Sequence, residues 1–159
     1  MTPRVDGAGY IKSGLGQAML ALQHQVETSG LEHSLLELVK IRTSQINGCA
    51  YCLDMHTKDA RALGESEQRI YALSAWRETP FFSDRERAAL EWAEAVARVS
   101  ADQVPDSVYD AVAPHFPEQE LVALTFAAVA INAWNRLAIS FRAVPGSYVS
   151  PHAHVAAGR

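Results

Sequence analysis

Apolar residues recur at spacings of three and four along nearly the whole chain, and no segment alternates with the period of two that a half-buried strand requires. That periodicity confines the chain to an all-α fold. From Ser13 to Thr28, residues Leu15, Met19, Leu22 and Val26 make one stripe, which Gly30 ends. A second helix runs from about Leu31 to Asn47, with Leu31, Leu35, Leu38, Val39 and Ile46 on its main face, and Gly48 breaks it. A third begins near Cys49 and ends at Gly64, and Ser66 caps a short fourth that reaches about Leu73. Beyond a linker holding Pro80, Ser83 and Glu86 stand at the spacing of a capping box, opening a helix that buries Ala89, Leu90, Ala93 and Val96 and fades near Ser100. Another starts at Pro105, and Pro117 suits the first turn of the last and most apolar helix, which runs to about Arg142. The sequence predicts a single-domain antiparallel bundle of six to seven helices over residues 1–142, with 143–159 as a mobile tail or an arm onto a neighbouring subunit.

Size and charge narrow the function. A chain of 159 residues can bury roughly 70% of the surface its unfolded form exposes, so it needs no staples. With 20% charged residues and a formal charge of -4, it carries no electrostatic footprint for nucleic acid or an anionic membrane. The apolar stretch Leu121 to Trp134 is too short to span a bilayer. No apolar core of a secretory signal stands among the first ten residues, and the expected location is the cytoplasm. In such a reducing compartment two cysteines spaced C-x-x-C point to redox or metal chemistry rather than to a structural disulfide framework.

Cys49 and Cys52 open a helix directly after Gly48. Unpaired N–H groups and the macrodipole favour an anion there. The dipole supplies about 0.3–1 kcal/mol at an exposed site, whereas bringing a thiol from about 8.5 to neutrality takes roughly 2 kcal/mol, so another group must help. His56, four residues beyond Cys52, is the obvious one. At about 100° per residue, Cys49, Cys52, His56, Asp59 and Leu63 share a face, while Asp54, Lys58 and Arg61 point elsewhere. A helical i, i+3 pair brings two Cα atoms to about 5 Å, which a disulfide accepts. Exposure at the helix end makes Cys49 the more accessible nucleophile. C-x-x-C-x3-H could supply three zinc ligands, but no fourth is evident, and no metal or cofactor is expected.

Glu37, Cys49, Cys52 and His56 match in type and spacing the glutamate, C-x-x-C and following histidine of the AhpD-like alkylhydroperoxidases, in the carboxymuconolactone decarboxylase superfamily. The run Glu37-Leu38-Val39-Lys40-Ile41-Arg42, with Met55-His56 and Ala60-Arg61, also resembles that family's core, and the likeness covers about Leu31 to Arg142. It implies that Glu37 and His56 relay a proton from Cys52, that the Cys52 thiolate attacks a hydroperoxide, and that Cys49 resolves the sulfenic acid as a disulfide. It further implies a lipoyl protein or other dithiol as electron donor, a peroxiredoxin as a further partner, and a homo-oligomer, trimer or hexamer. Glu37 rests on the resemblance alone, since the helical wheel puts it opposite the main apolar face, where it would pair with Lys40 in solvent. Tyr51 stands where the best-characterised members carry histidine.

Two other functions fit parts of the pattern. A carboxymuconolactone decarboxylase-type enzyme acting on a lactone has no need of the C-x-x-C, and a non-catalytic zinc-bound or redox-sensing module needs no relay. Asn132-Ala133-Trp134-Asn135-Arg136 resembles a late element in a subset of the AhpD-like family, and its polar residues in so apolar a helix are expected to tie it to a neighbour or line the site. Trp76, Trp92 and Trp134 are expected as core or interface anchors, and His152 and His154 as part of a solvated tail.

Overall fold

A computed structural model of the chain describes residues 2–152. These residues are helical without a strand, in the order α1 (Gly7–Lys12), α2 (Gly14–Glu27), α3 (His33–Asn47), α4 (Ala50–Ala62), α5 (Glu67–Ala72), α6 (Asp84–Ala97), α7 (Val99–Asp102), α8 (Asp106–Val112) and α9 (Glu118–Phe141), with 3₁₀ turns over Leu73–Glu78 and Ala113–His115. The caps follow the side chains. Ser13 accepts from the Gly16 N–H and Ser66 from the Arg69 N–H, and both halves of the Ser83/Glu86 capping box are formed.

Helix α3 is the axis of the molecule, packed by α4, α6 and α9. Leu35, Leu36 and Val39 join Val26, Ala89, Trp92, Phe116 and Leu124 in one core, while Leu38 and Ile41 join Leu73, Trp76, Phe82 and Leu90 in a second. Buried Glu94 links them, accepting from Arg42 Nε at 2.6 Å, Trp76 Nε1 at 2.9 Å and an Arg77 guanidinium nitrogen at 2.7 Å. Trp76 is thus a core anchor as expected, and Trp92 another, its Nε1 donating to Thr125 Oγ1 at 2.9 Å.

Three features depart from expectation. Helix α1 lies outside the expected helices: two of its six residues are glycine, and it is held from outside by Arg4 N–H donating to the Phe141 carbonyl and by Tyr10 packing at a tilt, 5.1 Å from Phe141. Gly16 permits the close approach of α1 to α2, since a Cβ there would collide with the Tyr10 and Ile11 carbonyls. Helix α9 keeps the expected span, but at 24 residues it is long and apolar enough by composition to cross a membrane, as the shorter stretch Leu121 to Trp134 is not; half of its most apolar window is packed inside the bundle, as a core helix requires. Finally, residues 146–150 run as a strap against α4 of their own chain. Gly146 N–H donates to Asp54 at 2.9 Å and Lys58 Nζ to the Tyr148 carbonyl at 3.0 Å. The remainder of the expected tail, including His154, lies outside the described residues.

Candidate active site

Gly48 takes a left-handed conformation, φ 68°, so the chain leaves α3 and enters α4 with only Gly48 and Cys49 between them. Cys49 thereby becomes the N-cap of α4, and its sulfur accepts the Cys52 N–H at 3.3 Å. The next turn brings Cys52 round, and the two sulfurs lie 2.6 Å apart. Closing the pair needs no backbone rearrangement. The expected exposure of Cys49 is not found: both thiols are buried, beneath Ile131, Trp134 and Ala138 of α9 with Tyr51 and Ala143.

His56 and Glu37 are buried as well, and His56 Nδ1 lies 2.9 Å from Glu37 Oε2. The other Glu37 oxygen accepts from Lys40 Nζ at 2.8 Å. The expected Glu37–Lys40 pair is therefore present, but inside the protein: every residue from Leu35 to Ile41 is buried, so a central helix has no solvent face on which a wheel could place them. Burial pushes the Glu37 carboxyl up, but the hydrogen bond and charge of His56 and then Lys40 outweigh it and hold the group below the usual carboxylate range. An ionised Glu37 accepts the Nδ1 hydrogen of His56, which leaves Nε2 as the basic nitrogen.

The thiols are unequal. Cys49 is lowered to about 7, chiefly by the hydrogen bond donated by Cys52 and against the cost of burial, with further help from the Cys52 N–H, the Asn135 amide and the Tyr51 N–H. Cys52 is pushed up by donating that bond and by burial. One sulfur is thus poised to ionise while its neighbour keeps the proton.

Two residues of the site were not identified as functional from sequence. Asp59, on the Cys49–His56 face, is buried, and its carboxylate gathers with Glu37 and His56 within 4.8 Å. Tyr148 donates to both Asp59 oxygens, at 2.9 and 3.0 Å; burial, that bond and the Asp59 charge raise its hydroxyl. Asp59 was visible as a face-mate of His56, whereas nothing in the aperiodic C-terminal segment marked Tyr148. Among the described residues, Glu37, His56 and Asp59 are the group of ligand-type side chains close enough to hold an ion, and the cysteines are not part of it. Lys40 and Tyr148 already occupy its carboxylates. The expected polar residues of α9 tie it to α3: Asn47 Nδ2 donates to Asn132 Oδ1 at 2.9 Å and to Asn135 Oδ1 at 2.8 Å. Beside the strap, a groove of about 820 Å³ is lined by Leu53, Thr57, Ile70, Tyr71 and Tyr148.

The sequence model of the carboxymuconolactone decarboxylase family matches residues 14–95. The chain is 45% identical over 140 residues to the uncharacterized protein YdfG of Bacillus subtilis (strain 168), covering 88% of this chain and 95% of that one. Among solved structures it resembles ATU0492 of Agrobacterium tumefaciens, a protein of unknown function described as a candidate AhpD antioxidant defence protein, at 40% identity and a TM-score of 0.87, over 92% of this chain and 100% of that one. An uncharacterized peroxidase-related protein of Silicibacter sp. TM1040 shares the fold at 24% identity and a TM-score of 0.74, over 82% of this chain and 70% of that one. With the family's match extending over half the chain, and an AhpD-like fold around it, this protein belongs to the carboxymuconolactone decarboxylase family.

Proposed function

We propose that this protein is a thiol-dependent peroxidase that reduces hydroperoxides, and by the same chemistry small disulfides, through a Cys49–Cys52 dithiol–disulfide cycle. The observation that carries the reading is the buried Glu37–His56 hydrogen bond, 2.9 Å long, one helical turn beneath a thiol pair whose sulfurs are 2.6 Å apart. A solvated glutamate or a structural histidine has no need of that arrangement.

Cys49 ionises, giving its proton to the relay, and its sulfur attacks the terminal peroxide oxygen. The O–O bond breaks, the alkoxide takes the proton back through His56 and leaves as the alcohol, and Cys49 becomes a sulfenic acid. Cys52 then gives its proton to His56 Nε2 and attacks the Cys49 sulfur. The S–O bond breaks, and hydroxide leaves as water with the proton His56 returns. Two electrons have passed from the thiols to the peroxide, and a dithiol donor such as a lipoyl protein restores them, with a peroxiredoxin as a further acceptor.

The setting is the cytoplasm, where a dithiol is kept reduced. Self-association as a trimer or hexamer is supported by Leu15 on α2 and by Val122, Phe126 and Val129 on α9, large apolar side chains left exposed. The test is to mix fully reduced protein with an organic hydroperoxide and follow free thiols and intact mass together. Loss of two thiols with loss of two hydrogens from the mass is the expected result. Persistence of both under excess peroxide overturns the reading, and retained lactone turnover in Cys52→Ser would then favour decarboxylase-type chemistry.

A further inference from the structure

We propose that Lys40 is a positioning residue of the thiol site: its buried ammonium takes one oxygen of Glu37 and so holds the other, charged, on His56 Nδ1. The inference rests on the thiol-redox reading above and adds to it a cation on α3 that acts through Glu37.

The two contacts of Glu37 use different oxygens. Lys40 Nζ donates to Oε1 at 2.8 Å, and His56 Nδ1 lies 2.9 Å from Oε2. Bonds to both oxygens fix the plane of the carboxylate, whereas a single partner leaves it free to swing about the last bond of the side chain. Lys40 stands three residues beyond Glu37 on the same helix, so α3 alone places the ammonium, independently of the α4 residue that completes the relay. The ammonium also faces Glu27 Oε1 at the end of α2, but at 3.7 Å and with that side chain 43% exposed, so the pull of Glu27 is the weaker one.

A structural role alone does not account for the pair. From Leu35 to Ile41 every residue is buried, and all but Glu37 and Lys40 are leucine, valine or isoleucine. Taking two charges out of water is unfavourable, and an apolar pair of similar volume would hold a central helix as well or better. What an apolar pair cannot do is keep a carboxylate ionised inside the protein. Burial pushes the Glu37 carboxyl up, and His56 and then Lys40 bring it below the ordinary range. Of these two partners, Lys40 is the one whose charge does not come and go with the relayed proton. Without it, Glu37 would meet burial with no cation beside it whenever His56 is neutral, and would take up a proton instead of steadying the one that a thiol passes to Nε2. Around the pair stand Glu27 from α2, His56 and Asp59 from α4, and Tyr148 from the strap, and a Lys40 variant replaces none of them.

The test uses the full chain, reduced, and reads the rate of iodoacetamide alkylation across pH with no peroxide present. Lys40→Met removes the charge and keeps an unbranched side chain. Alkylation at neutral pH should slow about tenfold, with the rate converging on the parent's at alkaline pH where the thiol is ionised anyway. Because Lys40 acts through Glu37, the same exchange in a Glu37→Gln background should cost nothing further, so that the double variant alkylates like Glu37→Gln alone. A lysine that only braces α3 would lower the melting temperature and leave the pH profile in place, and one acting on the sulfurs by its own charge would slow both backgrounds alike. The double variant carries neither buried charge, so it decides the matter if Lys40→Met fails to fold. Alkylation as fast in folded Lys40→Met as in the parent, or slower in the double variant than in Glu37→Gln, overturns the assignment. Because the readout is thiol ionisation alone, a shifted profile in a protein inert to peroxide would sink the peroxidase reading and leave Lys40 standing.

Discussion

Tyr148 reaches from the C-terminal strap to place its hydroxyl 2.9 and 3.0 Å from the two carboxylate oxygens of Asp59, 89 residues earlier in the chain. The contact closes the outer side of the Glu37–His56–Asp59 cluster and joins the strap to the site. Tyr148→Phe removes only the hydroxyl. It should leave the helical fold intact, lower thermal stability by about 1 kcal/mol through the lost buried hydrogen bond, and increase proteolysis of the strap. A Tyr148→Phe variant that matches the parent in both melting and proteolysis would show the bond to be without consequence.

Glu37→Gln keeps the shape of the side chain but loses the charge that sets the His56 tautomer. The expected result is a fall in the peroxide-driven rate of disulfide formation at neutral pH of about 10²-fold, the usual scale for a general acid–base group, with little change in helical content. Stopped-flow measurement of thiol loss in parent and variant decides it; equal rates would remove Glu37 from the mechanism.

Much of this fold can be read directly from residue spacing, and the exceptions have physical causes. Ser83 with Glu86, and Gly48 between two stripes, act locally, so their effect on the backbone is written within a few residues. The grouping of Cys49, Cys52, His56 and Asp59 on one face of α4 is equally local. Glu37 misleads because a helical wheel assumes one wet side, and α3 has none along Leu35–Ile41. Tyr148 and helix α1 are set by contacts with distant segments, Asp59 in one case and Phe141 in the other, and such pairings leave no periodic trace.

Stability should fall with acid in a manner traceable to two carboxylates. Glu37 and Glu94 are both held below their ordinary value near 4.5: burial opposes this in each, but His56 and Lys40 outweigh it for Glu37, and Arg77, Trp76 and Arg42 for Glu94. A carboxylate depressed in the folded state stabilises it fully above the unfolded value, and that stabilisation is lost as pH drops through the lower folded value. Denaturant midpoints should therefore be flat through the neutral range and decline below the ordinary carboxylate range. Glu94→Ala strands half-buried Arg42 and the Trp76 N–H, and should cost about 3 kcal/mol at neutral pH while flattening the acid limb. An acid limb as steep in Glu94→Ala as in the parent would refute its share.

The order of attack separates the two cysteines. Family resemblance implies that Cys52 strikes first, assisted by His56, but the pair is polarised the other way, with Cys52 donating to Cys49 and Cys49 lowered to about 7 at the N-terminus of α4. In Cys52→Ser the serine hydroxyl can still donate to Cys49, so that sulfur should remain reactive at neutral pH and, without its resolving partner, accumulate as a sulfenic acid one oxygen heavier. In Cys49→Ser the remaining Cys52 has lost its thiolate neighbour but keeps its burial, and should alkylate and oxidise about tenfold more slowly at neutral pH. Mass spectrometry of each variant after brief exposure to hydroperoxide, with dimedone to trap the sulfenic acid, reads the answer directly. Rapid trapping in Cys49→Ser and none in Cys52→Ser would reverse the assignment: the Glu37–His56 relay would then act on the attacking thiol, and Cys49 would serve only to close the disulfide.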